Sequence, residues 1–165
     1  MIRFSKARAF WPIAACVLLA DCATKQIAAD YLAPSYTPHR VLGDWLRFVL
    51  SYNRGAATGI PLGPWARPLL VATSVGILGL LWAWYRRANR RDWATAAALG
   101  LVAGGALGNL LDRIRWDRGV IDFIDVGIGA SRFWTFNVAD MGITCGALWL
   151  AWRLSRSGLP RDAET

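Results

Sequence analysis

The sequence is poor in the residues that hold metal ions or disulfides. Its 165 residues include three cysteines and one histidine. The cysteines form no Cys-x-x-Cys pair and lie in apolar segments, which indicates packing residues rather than a disulfide framework. His39 has no partner at His-x-x-x-His spacing, so we expect no histidine-based metal site.

Charged residues are also scarce, and several catalytic motifs are missing. Charged side chains make up 18% of the chain, whereas a soluble domain has about a quarter. The lack of Gly-x-Ser-x-Gly, His-Glu-x-x-His and Gly-rich phosphate-loop motifs argues against a serine hydrolase, a zinc protease and a P-loop enzyme. The net charge of +8 comes from arginines at the ends of apolar blocks, so we expect no nucleic-acid partner.

Long apolar runs are what the sequence has in abundance. Four blocks, at about 10–29, 65–85, 93–111 and 138–154, are each near the ~20 residues that a helix needs to cross a bilayer. Ten tryptophans fit a membrane protein, because indole rings favour the membrane–water interface. The sequence therefore predicts one integral membrane domain over residues 1–165, built on four transmembrane helices.

Basic residues near the helix ends predict the orientation. Four arginines crowd into the loop at 86–91, whereas the basic residues of the loops at about 30–64 and 112–137 are spread out among acidic ones. The positive-inside rule then places both termini in the cytoplasm and these two long loops outside. The tail at about 156–165 is expected to be disordered.

The two outer loops contain strand-like patterns. Residues 40–53 and 119–128 alternate in part and are rich in branched and aromatic side chains, so we expect short strands in both. Glycines and prolines between 53 and 68 predict a turn there.

The first 22 residues have the pattern of a lipoprotein signal peptide, with a basic start, an apolar core and a cysteine. Two features indicate a retained helix instead. The residue before Cys22 is Asp21, where such a cleavage site needs a small side chain, and the apolar surface continues to Ala29. Asp21 also lies one helical turn from Lys25, so the two can form an ion pair. We interpret the segment as a first membrane helix and Cys22 as an ordinary helical residue.

Ionisable side chains at a membrane are functional candidates, and here they gather toward the outer side. The third apolar block ends in the segment GGALGNLLDRI, whose small residues permit close helix packing. The residues concerned are the glycines Gly104, Gly105 and Gly108, followed by the polar residues Asn109, Asp112 and Arg113.

Two further polar clusters follow, with Asp122 and Asp125 in one and Asn137 and Asp140 in the other. Two carboxyl groups in one site do not both ionise readily, so one can serve as an acid and the other as a base. This chemistry fits an aspartic hydrolase, but carboxylate clusters also bind cations or relay protons. The residues alone do not choose among these roles, nor among Asp112, Asp122, Asp125 and Asp140.

Five segments in order resemble the motifs of bacterial lipoprotein signal peptidase, also called signal peptidase II. The family's Asp, Ser or Thr, and Lys signature matches Asp21, Thr24 and Lys25, and its Asn-x-Gly-Ala-Ala segment matches residues 53–57. Three further matches are GGALGNLLDR, VIDF and FNVAD. The resemblance covers nearly the whole chain, from the first predicted helix to the fourth.

The resemblance implies an intramembrane aspartic endopeptidase. Such an enzyme removes signal peptides from diacylglyceryl-modified prolipoproteins, cutting just before the lipidated cysteine. Asp122 and Asp140 would be the catalytic pair, and Asp125, which falls outside the matched motif, is interpreted as structural. Supporting or substrate-binding roles are implied for Asn53, Gly55, Asn109, Asp112, Arg113, Asn137, Asp21 and Lys25.

The resemblance also implies a small extracytoplasmic β-rich cradle over the four-helix bundle, an inner-membrane location and no metal or organic cofactor. The implied partners are lipid-modified prolipoproteins, membrane lipids and globomycin-type inhibitors. Thr58 stands where the family often has an aromatic residue, a difference that bears on fine substrate preference.

Two other hypotheses predict different features. A small transporter would use its aspartates for cations or protons, yet the polar residues collect at one side and no acid lies mid-helix in helices two to four. A secreted lipoprotein beginning at Cys22 would need a soluble remainder, and three downstream apolar blocks argue against one.

Overall fold

A computed structural model describes residues 5–55 and 63–157. The predicted motif residues Ala56 and Ala57, the variant position Thr58 and the tail from 158 onward lie outside the described residues. Four helices and four strands follow in the order α1 (Lys6–Tyr31), β1 (His39–Leu42), β2 (Leu46–Asn53), α2 (Ala66–Arg87), α3 (Trp93–Arg115), β3 (Val120–Ile128), β4 (Ser131–Arg132) and α4 (Val138–Ser157).

Three of the helices, α1, α2 and α3, are long and apolar enough to cross a bilayer. In α4, Asp140 near the start and Arg153 near the end interrupt the apolar run. The structure therefore supports three spans, and the fourth stays a prediction.

All four described helices extend beyond the predicted apolar blocks, and two of these extensions change a prediction. The last turn of α3 reaches Arg115, so Asp112 and Arg113, predicted in the outer loop, are still helical. The backbone N–H of Trp116 donates to the carbonyl oxygen of Asp112 at 2.8 Å. Helical hydrogen bonding therefore continues past the point at which the hydropathy of the sequence falls. Similarly, α4 continues to Ser157, two residues into the predicted disordered tail.

The centre of the helix bundle is α3. About 78% of its apolar window is buried, against 22% for α1 and 11% for α2, so the last two leave most of their surface for lipid. Small residues allow this close packing, as predicted: a Cβ atom on Gly104 would lie 2.6 Å from the carbonyl oxygen of Ala14 in α1. On another face of α3, Gly105 packs against the backbone of Ala139 in α4.

The strands form one antiparallel sheet in the order β1-β2-β3-β4, which confirms the predicted strand-like segments. Apolar side chains of β2 and β3, with Ala28 of α1, make a second small core: Leu50, Ile121 and Phe123. The sheet is thereby fixed at one end of the bundle, where α1 and α3 end and α4 begins.

Candidate active site

A buried lysine joins α1 to α3. The Lys25 ammonium lies 2.7 Å from Asp21 Oδ2 and 2.9 Å from Asp112 Oδ2, and it donates to Asn109 Oδ1 at 2.8 Å. Lys25 and Asp21 are 2% and 0% exposed, so the predicted one-turn ion pair is present and fully enclosed. Three N–H groups thus meet three oxygen atoms, which satisfies the ammonium completely.

Asp112 is tied to the sheet as well as to Lys25. Its Oδ2 also accepts a hydrogen bond from the backbone N–H of Ile121 at 3.2 Å. The neighbouring Arg113 donates to the carbonyl oxygen of Asn109, one turn earlier on its own helix, at 3.2 Å. Asp112 therefore anchors the start of β3 to the end of α3, which is a supporting position rather than a reacting one.

The first turn of α4 is closed by a reciprocal pair of side chains. The Asn137 Oδ1 accepts from the backbone N–H of Asp140 at 3.0 Å, and Asp140 Oδ2 accepts from the backbone N–H of Asn137 at 3.2 Å. This is the capping-box arrangement, with aspartate in place of glutamate. Asp21 adds a further contact, accepting from the backbone N–H of Ala139 at 2.9 Å.

Asp122, on strand β3 of the sheet, also contacts the first turn of α4. Asn137 Nδ2 donates to its Oδ1 at 2.6 Å, and Asn53 Nδ2 donates to its Oδ2 at 3.1 Å. The backbone N–H of Gly55 donates to Asn53 Oδ1 at 3.0 Å, which leaves the amide nitrogen of Asn53 facing Asp122. The strand β2 thus supplies a donor, and β3 supplies the carboxyl group.

Asparagine amides connect the two aspartates. Asn137 bonds to both Asp122 and Asp140, and Asn109 Nδ2 donates to Asp140 Oδ1 at 2.8 Å. Asn137 Nδ2 also lies 3.2 Å from Asn109 Oδ1. Because the Asn109 oxygen accepts from Lys25, its amide nitrogen must face Asp140. A chain of hydrogen bonds therefore runs from the buried ammonium to both carboxyl groups.

The environment of Asp122 favours its protonated form. Burial, and secondly the negative charge of Asp140, raise the pKa of Asp122 from 3.8 to about 7. The side chain is 3% exposed. Asp122 therefore keeps its proton to a higher pH than an ordinary aspartate does.

Asp122 and Asp140 both line a cavity of about 310 Å³. Arg113 lines the same cavity and lies close enough to both carboxyl groups to interact with their charges. The described lining has no serine, cysteine or histidine that could act as a nucleophile; its remaining residues are Asn53, Asn109, Val120, Phe133, Trp134, Thr135, Phe136, Ile143 and Thr144. Two carboxyl groups at one cavity are the groups in this lining that can exchange protons with a bound water molecule.

Sequence reasoning missed the aromatic wall of this cavity. Phe133, Trp134 and Phe136 precede α4, and the first two are 59% and 62% exposed. An apolar groove of about 290 Å³ continues from the cavity past Phe133 and Phe136 to Met141. The run FWT directly before FNVAD was the available signal, because exposed aromatic residues beside a polar motif indicate a binding surface.

Asp125 lies away from the cavity. It is three residues from Asp122 on β3, so the two side chains point to opposite faces of the sheet. Arg47 and Arg132 each place Nε 2.9 Å from its carboxylate. These contacts separate Asp125 from the two cavity aspartates, and its structural role stays a prediction.

Comparison with known proteins decides the family. A family model described as signal peptidase (SPase) II matches residues 13–156. The chain belongs to the signal peptidase II family. Membership makes it a signal peptidase, a membrane protease, and the matched region includes every residue of the hydrogen-bond network described above.

Individual relatives support the assignment over most of the chain. It is 39% identical over 120 residues to a lipoprotein signal peptidase of Xanthomonas campestris pv. campestris (strain 8004), covering 72% of this chain and 71% of that protein. It is 37% identical over 151 residues to a lipoprotein signal peptidase of Coxiella burnetii (strain Dugway 5J108-111), covering 88% and 90%. A solved bacterial membrane enzyme obtained by the in meso method has a TM-score of 0.80 and 29% identity, covering 93% of this chain and 92% of that one.

Proposed function

We propose that this signal peptidase is an aspartic endopeptidase that removes signal peptides from diacylglyceryl-modified prolipoproteins, cutting just before the lipidated cysteine. The observation that carries the proposal is the joint hydrogen bonding of Asp122 and Asp140 to Asn137 at one cavity. A pair of carboxyl groups with one proton is what hydrolysis of a peptide bond by activated water requires.

The hydrogen bonds support a division of roles between the two aspartates. Asp140 accepts from the Asn109 amide and from a backbone N–H in the first turn of α4, where the helix dipole favours a negative charge. Asp122, with its raised pKa, is the better proton donor. In the proposed reaction Asp140 is the ionised base and Asp122 is the neutral acid.

The proposed reaction returns both aspartates to their starting protonation states. Asp140 takes a proton from water as the water oxygen attacks the scissile carbonyl carbon, and Asp122 gives its proton to the carbonyl oxygen. The tetrahedral intermediate then collapses: the carbon–nitrogen bond breaks, the leaving amine takes the proton held by Asp140, and Asp122 recovers its own. Arg113, at the cavity wall, stabilises the negative charge that builds up.

The bilayer would supply much of the substrate positioning. The acyl chains of a lipidated cysteine are costly to expose to water, so they hold that residue in the membrane while the signal helix lies in the bilayer. The scissile bond then arrives at the surface, where the cavity lies between the helix ends and the sheet. Holding it there converts a rare encounter into an effectively intramolecular step.

The proposal includes a topology in the bacterial inner membrane. α4 is the fourth span, both termini are cytoplasmic, and the sheet and cavity face the outer side. Arginines at 86–91 support this orientation through the positive-inside rule. A compound that imitates the lipidated cleavage site, as globomycin-type inhibitors do, would compete for the same cavity.

The test is cleavage of a diacylglyceryl-modified prolipoprotein, followed by gel shift. Asp122→Asn and Asp140→Asn should each lower the rate by about 10²–10⁴-fold or more, since each removes an acid–base group. Asp117→Asn, at a carboxylate that is 92% exposed, should cleave like the wild type. Full activity in Asp122→Asn or Asp140→Asn would contradict the proposal.

A further inference from the structure

The end of the molecule opposite the cavity carries a strong positive charge. It comprises the start of α1, the loop from α2 to α3 and the end of α4. Within residues 5–55 and 63–157, Asp92 is the one acidic residue at this end. The basic residues there are Lys6, Arg8, Arg86, Arg87, Arg90, Arg91, Arg153 and Arg156.

The four loop arginines, Arg86, Arg87, Arg90 and Arg91, have no anionic partner among the residues that the structure describes. All four are exposed, and none forms an ion pair with a described residue. The nearby backbone carbonyl oxygens at the end of α2 already accept hydrogen bonds from Lys6. Lys6 Nζ donates to three carbonyl oxygens at the end of α2, at 2.8–3.2 Å.

Asp92 is occupied as well. Its Oδ1 accepts from the backbone N–H of Thr95 at 3.1 Å as the cap of α3, and it lies 3.0 Å from an Arg153 guanidinium nitrogen. Its charge is thus shared with Arg153 and the start of α3. Among the described residues, the loop guanidinium groups therefore leave a net positive charge that attracts anions.

Aromatic rings place this charge at the level of lipid headgroups. The guanidinium of Arg86 lies 6.0 Å from the ring centre of Trp82, and that of Arg156 lies 4.9 Å from Trp152. Both rings are exposed. Tryptophan favours the boundary between hydrocarbon and headgroups, so a cation stacked on it sits beside the phosphates.

A groove runs beneath the loop. It holds about 190 Å³ between α2 and α4, with α3 as its floor. Trp84, Leu150 and Leu154 form its apolar walls, and the polar groups of Asp92, Thr95 and Arg153 lie at one end. Ala88 also lines it, and the chain neighbours Arg87 and Arg91 flank this opening in sequence.

We propose that this end binds an anionic phospholipid, with the headgroup phosphate on the loop arginines and an acyl chain along the apolar groove. Charge decides the class of lipid, because clustered arginines beside a span attract anionic headgroups over zwitterionic ones. The apolar walls distinguish a lipid from a free phosphate, which has nothing to place against Trp84 and Leu150. This binding is separate from the proposed peptidase site and does not depend on it.

The experiment uses the full chain in a neutral detergent, with bound lipid counted by native mass spectrometry. Phosphatidylglycerol and phosphatidylcholine with identical acyl chains are titrated in parallel. The wild type should retain phosphatidylglycerol preferentially. Arg87→Gln with Arg91→Gln should weaken that binding about 30-fold, since each basic residue at an anionic surface contributes about fivefold. Arg87→Lys with Arg91→Lys should keep most of it.

A matched control removes the same charge elsewhere. Arg40→Gln with Arg115→Gln affects exposed arginines at the cavity end and should leave phosphatidylglycerol binding unchanged. An equal loss in this control, or equal retention of both lipids by the wild type, would overturn the proposal. So would displacement of the lipid by inorganic phosphate alone, which would indicate a free-anion site. If the 87/91 variant fails to fold, Arg86→Gln with Arg90→Gln tests the same surface.

Discussion

Asn137 and Asp140 hydrogen-bond to each other in both directions across the first turn of α4, at 3.0 and 3.2 Å. The same asparagine gives its amide nitrogen to Asp122 at 2.6 Å. One side chain therefore begins a helix with its oxygen and orders the carboxyl pair with its nitrogen. These two tasks can be separated by mutation.

Asn137→Asp should keep the helix cap and lose the link to Asp122. Aspartate caps a helix as well as asparagine does, but it has no N–H to donate and adds a third carboxylate. We expect cleavage to fall at least 100-fold and the unfolding midpoint to fall as well, because the new carboxylate is fully enclosed beside Asp122 and Asp140. Asn137→Ala should lose the cap as well, at a cost of about 1 kcal/mol in unfolding free energy. Activity in Asn137→Asp would show that the amide nitrogen is dispensable.

Cleavage should depend on pH through Asp122. With its pKa raised to about 7 by burial and then by the charge of Asp140, the acid is present below pH 7 and lost above it. We therefore expect kcat/KM to fall as the pH rises through about 7, measured on one prolipoprotein substrate in one detergent. A flat profile from pH 6 to 9 would contradict the assignment of Asp122 as the proton donor.

Stability should change with pH in the same direction. The folded chain holds a proton on Asp122 up to about pH 7, whereas the unfolded chain loses it near 3.8. The folded state thus binds more protons between these values, and the contribution of this group to stability is lost as the pH rises from about 4 to 7. Asp122→Asn should show a smaller fall in unfolding midpoint over that range. An unchanged fall would indicate that other groups cause it.

Removal of the buried Lys25 ammonium should lower the free energy of unfolding by several kcal/mol. Lys25→Met leaves Asp21 and Asp112 enclosed without their cation, and breaking a buried pair in this way costs about 3–5 kcal/mol of unfolding free energy. Asp117→Asn is the matched control, because the Arg67–Asp117 pair is exposed and such pairs contribute about 0–1 kcal/mol. The unfolding midpoints of the variant and its control are measured by thermal unfolding in detergent. Similar midpoints for both variants would mean that water reaches the Lys25 site.

Alanine at two helical glycines should have opposite effects. Gly104→Ala places a methyl group 2.6 Å from the Ala14 carbonyl oxygen, so α1 and α3 must move apart and the unfolding midpoint should fall. Gly76 in α2 has no atom within 4 Å of that position, so Gly76→Ala should be neutral or gain up to about 1 kcal/mol in helix propensity. A midpoint for Gly104→Ala at or above that of Gly76→Ala would contradict the close packing.

The apolar blocks and strand patterns predicted most of the architecture, because each is a local property of the sequence. The partner of Asp112 was not predictable in this way: Lys25 is far away in the chain, and no spacing rule joins them. The contacts of Asn137 to both aspartates likewise depend on how β3 meets α4. The fourth span stays a prediction because Asp140 and Arg153 lower the mean hydropathy of α4. Both residues make polar contacts with neighbouring elements.

The burial of Asp21 gives a physical reason to regard Cys22 as an ordinary residue of a retained helix. Its neighbour Asp21 is fully enclosed and bonded to Lys25 in α1 and to the backbone N–H of Ala139 in α4, so a chain cut before Cys22 would lose both contacts. We expect mass spectrometry of the intact protein to find residues upstream of Cys22. A mature chain beginning at Cys22 would contradict the retained helix.

The position of Asp140 on the last helix has a consequence for biosynthesis. A nascent chain that has emerged only as far as β3 carries Asp122 and Asn53 but neither Asn137 nor the second carboxyl group. On the proposed mechanism, activity is acquired only when α4 enters the membrane and its capping box forms. A chain in which α4 has not yet packed against α3 would therefore be inactive, whatever the state of Asp122.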